Sequence, residues 1–262
     1  MEYKNVILQQ VGKVAVLKLN APEALNAMTL NMVAELSHAV SAIQHGDARC
    51  LLLTGEGRGF CAGANIRDFD PGSSAMTMPP SGSALEMHFH PLINKIRNME
   101  IPMVSAVNGL AVGVGMSFAI MADMVVAARS AYFLQAFARI GLVPDGGSSY
   151  YLPRIIGWKR AQELSMLAEK LPAETAQEWG LINRVVDDNL LMDEAMALAE
   201  RLANGPRSLG MIRRLYWESL NNSFEEQLQL ESEMQSKASA TSDNREGIQA
   251  FLEKRDAKFT GQ

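Results

Sequence analysis

Cysteine is scarce: Cys50 and Cys61 are the two in 262 residues, and they form no Cys-x-x-Cys pair. Neither a disulfide framework nor a thiolate zinc site is expected from so few. The reducing cytoplasm is the compartment such usage fits. Basic residues are not in excess either. Lys and Arg number 24 against 29 Asp and Glu, a net charge of -5, whereas neutralising nucleic-acid phosphates calls for a basic surface. No nucleic-acid partner is therefore expected. Long unbroken apolar runs are missing as well. The most apolar stretch, residues 104–128, is interrupted by Asn108, Asp123 and several glycines, while a membrane span needs about 20 mostly apolar residues. The segment MEYKNVILQQ lacks the apolar run of a signal peptide. A soluble, cytoplasmic protein with no membrane partner is expected. No His-Glu-x-x-His or clustered ligand set is present to hold a metal.

The chain does have apolar residues in ordinary globular proportion, 48% against 20% charged, enough to bury a core without staples. Residues 6–11 and 13–20 run apolar or alternate around Gly12 and predict a β-hairpin. Thr29 precedes Met32, Val33, Leu36, Val40 and Ile43, a helical stripe with an N-cap. Residues 50–54 and 102–107 predict short buried strands, 85–99 and 116–122 helices, and 124–127 a further strand. Residues 70–83 (DPGSSAMTMPPSGS) have the composition of a mobile loop. The repeated order of strand, turn and helix predicts an α/β fold with a largely parallel sheet. From Leu190 onward the pattern is helical. The expected division is an α/β core with the binding site over 1–190 and a helical lid or assembly region over 191–262.

Two glycine loops each end a strand: FCAGAN at residues 60–65 and NGLAVGVG at 108–115. Glycine lets backbone amides approach a ligand without Cβ interference, and amides at a helix start carry partial positive charge. Two such amides converging would make an oxyanion hole. Glycines that merely permit tight turns explain each loop separately just as well. The second loop is not a dinucleotide fingerprint, because Phe118 stands where the third glycine belongs.

In order and spacing, ALNA (24–27), FCAGANI, IPMVSAVNGLAVGVG, Ala122-Asp123, GLVPDGG, EWGLINRVV and REGIQAFLEKRDAKF resemble the crotonase (enoyl-CoA hydratase/isomerase) superfamily. The likeness is nearest to its phenylacetate-pathway ring-isomerase branch, the 1,2-epoxyphenylacetyl-CoA isomerase-like members. The resemblance implies a crotonase-type spiral of ββα units with a helical C-terminal region, a homotrimer or hexamer, and an acyl-CoA substrate. Coenzyme A would enter as part of that substrate, with no further cofactor. It further implies an oxyanion hole on the amides of Ala64 and Val114. Ala24, Leu25, Ala62, Asn65 and Ile66 would line the path of the adenosine and pantetheine. Phe251 and Lys254 of a neighbouring subunit would lie near the nucleotide.

The hydratases of this superfamily add water with two glutamates, and the corresponding positions here are Ser117 and Phe137. Neither side chain is a carboxylic acid, so simple hydration is disfavoured. Asp145, in Gly141-Leu-Val-Pro-Asp-Gly-Gly147, remains. Its position before a helix expected at 148–155 suits an N-cap as well as a catalyst. The resemblance implies the latter, since the ring isomerases carry their catalytic aspartate in this motif. Phe133, Phe137, Leu142 and Val143 are expected to surround it with apolar surface and raise its pKa. Double-bond isomerisation through an oxyanion-stabilised (di)enolate, with Asp145 as proton carrier, is the leading expectation. His90 supplies an alternative, because its position resembles that of the general base in the family's 4-chlorobenzoyl-CoA dehalogenase. Asp145 would then be a nucleophile, as in dehalogenase or hydrolase chemistry. A packed helix-start residue is the plainer reading of His90, and a non-catalytic acyl-CoA- or RNA-binding member is a third possibility for the whole chain. His38 and His45 are expected on the surface of the first helix, and Cys61 as a small buried filler beside the oxyanion loop.

Overall fold

The computed structural model describes residues 3–65 and 81–262. Its strands in chain order are β1 (Val6–Val11), β2 (Val14–Leu19), β3 (Cys50–Gly55), β4 (Gly59–Cys61) and β5 (Met103–Val107). They continue as β6 (Leu110–Val112), β7 (Met124–Ala128), β8 (Tyr132–Leu134), β9 (Leu171–Pro172) and β10 (Arg184–Val186). The helices begin with α1 (Leu30–Gln44), α2 (Ser81–Ala84), α3 (His90–Arg97), α4 (Val114–Ile120), α5 (Ser148–Ile155) and α6 (Trp158–Leu167). Then come α7 (Ala173–Glu178), α8 (Leu191–Ala203), α9 (Ser208–Ser219), α10 (Phe224–Ser239) and α11 (Ser242–Glu253).

A six-stranded sheet has the order β1-β2-β3-β5-β7-β10 and is parallel from β2 onward. A four-stranded sheet has the order β4-β6-β8-β9, antiparallel at its last pair. The pairs β3/β4, β5/β6 and β7/β8 each place their first strand in the large sheet and their second in the small one. A helical segment follows each pair, so the chain advances as a spiral of ββα units, the α/β architecture expected.

Every residue of β3 and β5 is buried. Strands covered on both faces read as unbroken apolar runs rather than alternation. Helix α8 supplies part of that cover, lying on β3, β5 and β7 through Leu191, Ala195, Leu198, Ala199 and Ala203. Helix α1 buries Met32, Val33, Leu36, Ala39, Val40 and Ile43, and Thr29 caps it by accepting from the Met32 amide at 3.1 Å.

The structure differs from expectation in three local places. Helix α4 starts at Val114 rather than 116, because Gly113 turns the chain out of β6 directly into the helix. The helix expected from residue 85 opens with a π-helical turn, Leu85–Phe89. Of the loop expected over 70–83, residues 70–80 lie outside the described part, and Ser81–Ala84 is helical. Among the described residues no helix is long and apolar enough to cross a membrane.

Candidate active site

The first glycine loop is assembled around Asn26, which is fully buried and has a left-handed backbone, φ 57°. Asparagine tolerates that conformation better than most residues. Its Oδ1 accepts from the Ala21 amide at 2.8 Å, and its Nδ2 donates to the carbonyls of Glu56 at 2.9 Å and Gly59 at 2.8 Å. One buried side chain thus meets three backbone groups from separate parts of the loop. Beside it, the Ala62 amide donates to Leu25 O at 2.9 Å, Met28 N to Gly63 O at 2.7 Å and Asn65 N to Met28 O at 2.9 Å. Ala24, Leu25, Ala62, Ala64 and Asn65 are thereby brought together. Sequence reasoning quoted Asn26 within a motif and gave it no role; the one available signal was a residue type that suits left-handed backbone.

Helix α4 closes on this loop at Gly115. A methyl group there would lie 2.6 Å from the Cys61 carbonyl and 2.7 Å from its Sγ, so only glycine permits the approach. Cys61 is fully buried beneath, and burial pushes its thiol up to about 12. Val114 is the first residue of α4, and its amide has no carbonyl one turn back to bond. Ala64 bridges to Met28, but that bridge uses the amides of Met28 and Asn65 and leaves the Ala64 amide out. Ala64 and Val114 both line one cavity of about 260 Å³. Larger hollows of about 400 and 510 Å³ flank α9, yet neither contains a glycine loop.

Asp145 lines the same cavity. Its Oδ1 is buried and has no hydrogen-bond partner among the described residues. Burial pushes its pKa up to about 6, because a desolvated carboxyl resists ionisation. The side chain does not cap α5: the N-cap is Gly147, with no side-chain cap. Instead the Asp145 carbonyl accepts from the Ser148 amide at 3.0 Å, Ser148 Oγ at 2.8 Å and Ser117 Oγ at 3.0 Å. Phe137 and Leu142 form part of the cavity wall as expected. Phe133 does not, being fully buried in the core on β8, nor does Val143, which is 78% exposed on the turn. Phe89, Val112 and Ile140 complete the apolar wall instead. Phe89 arrives on the π-helical turn, a feature frequent at functional sites and not visible in the sequence. Arg139 also lines the cavity, with Nε donating to the Ala168 carbonyl at 2.9 Å.

An apolar cavity lined by a carboxyl with one unpartnered oxygen and by two residues whose amides show no hydrogen bond among the described residues is equipped for proton transfer next to a developing oxyanion. Among the described residues no group of three His, Cys, Asp or Glu could hold a metal ion. The family model described as enoyl-CoA hydratase/isomerase matches residues 9–262. This chain belongs to the enoyl-CoA hydratase/isomerase family. It is 43% identical over 261 residues to the 1,2-epoxyphenylacetyl-CoA isomerase of Escherichia coli (strain K12), with 98% of each chain covered. It is 34% identical over 262 residues to the crotonyl-CoA hydratase of Syntrophomonas wolfei, with 99% of each covered. The crystal structure of enoyl-CoA hydratase subunit I from Geobacillus kaustophilus HTA426 superposes with a TM-score of 0.91 at 34% identity, over 100% of both chains.

Relatives with isomerase and hydratase names both occur, so membership makes this an acyl-CoA enzyme of the enoyl-CoA hydratase/isomerase type without choosing between the two reactions. The remaining expected residues of this family member are scattered. His90 is exposed at the start of α3 and lines a separate hollow of about 290 Å³ with Gly147, Tyr150 and Tyr151, which Asp145 does not line. Phe251 is 82% exposed, Lys254 ends α11, and neither lines the Asp145 cavity. Ile66 lies outside the described residues.

Proposed function

We propose that this enzyme shifts a carbon–carbon double bond in unsaturated acyl-CoA thioesters, with Asp145 carrying the proton. The carboxylate takes a proton from the α carbon of a 3-enoyl thioester. The dienolate oxygen is held by the amides of Ala64 and Val114, and the same acid returns the proton to the γ carbon, leaving the conjugated 2-enoyl thioester. Electrons and protons balance within the substrate, so no redox partner or metal is called for, and coenzyme A enters as part of the substrate. The observation that carries this reading is the Asp145 carboxyl, its Oδ1 buried and without a hydrogen-bond partner among the described residues, pushed up to about 6 in the cavity that Ala64 and Val114 also line. A general base works best with a pKa near the operating pH.

Isomerisation is favoured over hydration because Ser117 and Phe137 occupy the expected glutamate positions, and the Ser117 hydroxyl is engaged by the Asp145 carbonyl. The relative named 1,2-epoxyphenylacetyl-CoA isomerase supports the same choice and points to ring-derived acyl groups. Dehalogenase-like chemistry with Asp145 as nucleophile and His90 as base gains no support from side chains that line different hollows. Lid closure by residues 191–262 and a homotrimer or hexamer in the cytoplasm complete the proposal, with Phe251 and Lys254 of a neighbouring copy near the nucleotide. Wild-type enzyme given a 3-enoyl-CoA should generate conjugated-thioester absorbance, while crotonyl-CoA should keep its own. Loss of crotonyl-CoA absorbance at about 10–10³ per second, the range of efficient enzymes, would overturn the isomerase reading.

A further inference from the structure

Asp145 Oδ1 has no hydrogen-bond partner among the described residues, yet the carbonyl of the same residue is saturated. It receives Ser148 N, Ser148 Oγ and Ser117 Oγ at 3.0, 2.8 and 3.0 Å. Ser117 and Ser148 are both fully buried. Two of the three donors are local, three residues along the chain. Ser117 comes from another element: it lies on α4, one turn beyond Val114. The loop following Asp145 has little stiffness of its own, because Gly146 and Gly147 are both left-handed, φ 61° and 82°, and glycine restrains the backbone least. That loop also seats directly on Ser117, since a methyl on Gly146 would lie 2.7 Å from Ser117 Cβ. The Ser117 hydroxyl has a second acceptor, Gly113 O, but at 3.4 Å against 3.0 Å for Asp145 O.

We infer that Ser117 is a positioning residue, its hydroxyl holding the Asp145 carbonyl so that the carboxyl enters the cavity in fixed relation to the Val114 amide. The inference rests on the isomerase reading and deepens it. One rigid helix then carries an oxyanion donor at its first residue and, one turn later, the anchor of the proton carrier. The residue type follows from the task. An ionised glutamate at 117 accepts hydrogen bonds and donates none, so it would set negative charge against a carbonyl in a buried site. Serine donates, is short enough to fit beneath Gly146 and leaves Asp145 as the acid of the cavity. Removing the hydroxyl leaves the carbonyl with its two Ser148 donors, so no buried acceptor is orphaned. The loss falls on geometry, where small misplacements are costly in rate.

The test is a double-mutant cycle on 3-enoyl-CoA isomerisation with Ser117→Ala, Asp145→Asn and the pair, each beside a thermal melt. Ser105→Ala serves as control, because Ser105 Oγ is another buried hydroxyl, without a hydrogen-bond partner, on β5. Ser117→Ala should lower kcat about 10-fold with KM within about two-fold and a near-normal melt. Ser105→Ala should keep the wild-type kcat. In the Asp145→Asn background Ser117→Ala should cause no further loss, because it acts through the carboxyl that is already gone. Should Ser117→Ala fold poorly, Gly146→Ala displaces the loop from the other side and should lower kcat likewise. A wild-type kcat for Ser117→Ala or Gly146→Ala beside a crippled Asp145→Asn overturns the inference alone, as do losses that multiply in the double mutant. A wild-type kcat for Asp145→Asn overturns the isomerase reading and the inference with it.

Discussion

Asp123 and Asp145 are both aspartates with part of the carboxyl turned away from water, and desolvation raises the pKa of each. Their surroundings then part ways. Asp123, just ahead of β7, accepts from the Met103 amide at 2.7 Å and from Arg213 Nε at 2.8 Å, and the Arg213 charge opposes the rise. Arg213 is itself nearly fully buried and donates onward to the carbonyls of Arg97, Met99 and Ile96. A single ion pair thus ties α9 to the end of α3 and the start of β5. Asp145 has no such partner, and its carboxyl faces an apolar cavity. The same side chain is a strut where its hydrogen-bonding capacity is met, and it is the open position on which the proposed proton transfer rests.

The comparison can be broken most directly at Asp145. Asp145→Asn keeps the shape and removes the proton carrier, so isomerisation should fall by at least about 10²-fold, measured as conjugated-thioester absorbance. Its melt should not fall below that of the wild type. A normal rate in the mutant would return Asp145 to the structural class. At the other aspartate, Arg213→Met should cost about 1–3 kcal/mol of stability in urea unfolding, because it removes the partner of Asp123 and the donor to three carbonyls. Adding Asp123→Asn should recover part of that loss. The residual activity per folded molecule should stay near wild type in both.

A comparable effect sharpens the contrast through pH. The folded pKa of Asp145 lies above its ordinary carboxylate value, at about 6, so the fold favours the protonated form. Stability from this group is present below about pH 4 and is lost as pH rises through about 6. Asp145→Asn should therefore match the wild type at pH 4 and exceed it by about 1–3 kcal/mol at pH 7. Denaturant midpoints across that range would reveal it, and a gain that is flat with pH would contradict the raised pKa. The smallest effect is kinetic. Wild-type kcat/KM should drop about tenfold between its plateau and pH 5, as the base becomes protonated. Variants at Asp123 should keep that acid limb, and an unmoved profile in wild type would separate Asp145 from the proton step.

Local structure was legible wherever a short-range rule sufficed. Thr29 followed by an apolar helical stripe gave the cap and buried face of α1, and Gly12 between two apolar runs gave the first hairpin at φ 56°. The glycines of both loops marked where backbone must come close to backbone. Asp145 could be picked out as a cap or a catalyst, but the choice needed the structure, in which Gly147 occupies the cap and the carboxyl is left without a partner. Arg213 and the π-helical turn Leu85–Phe89 carried no usable sign, and Asn26 only a residue type that suits left-handed backbone. Two of the three partners of Asn26 lie 30 and 33 residues away at Glu56 and Gly59, and those of Arg213 some 90 to 117 away.

By itself the amino-acid sequence determined the order of strands, turns and helices, because propensity, capping and period act within a few residues. It also determined which acids were absent, since Ser117 and Phe137 cannot ionise as carboxylic acids whatever surrounds them. Tertiary structure alone decided which of two partly desolvated aspartates is paired and which has an open carboxyl oxygen. It also decided that Ala64, Val114 and Asp145 share one cavity while His90 lines another. Burial and partnership arise from segments distant along the chain, and a pKa follows from that three-dimensional surrounding rather than from residue type.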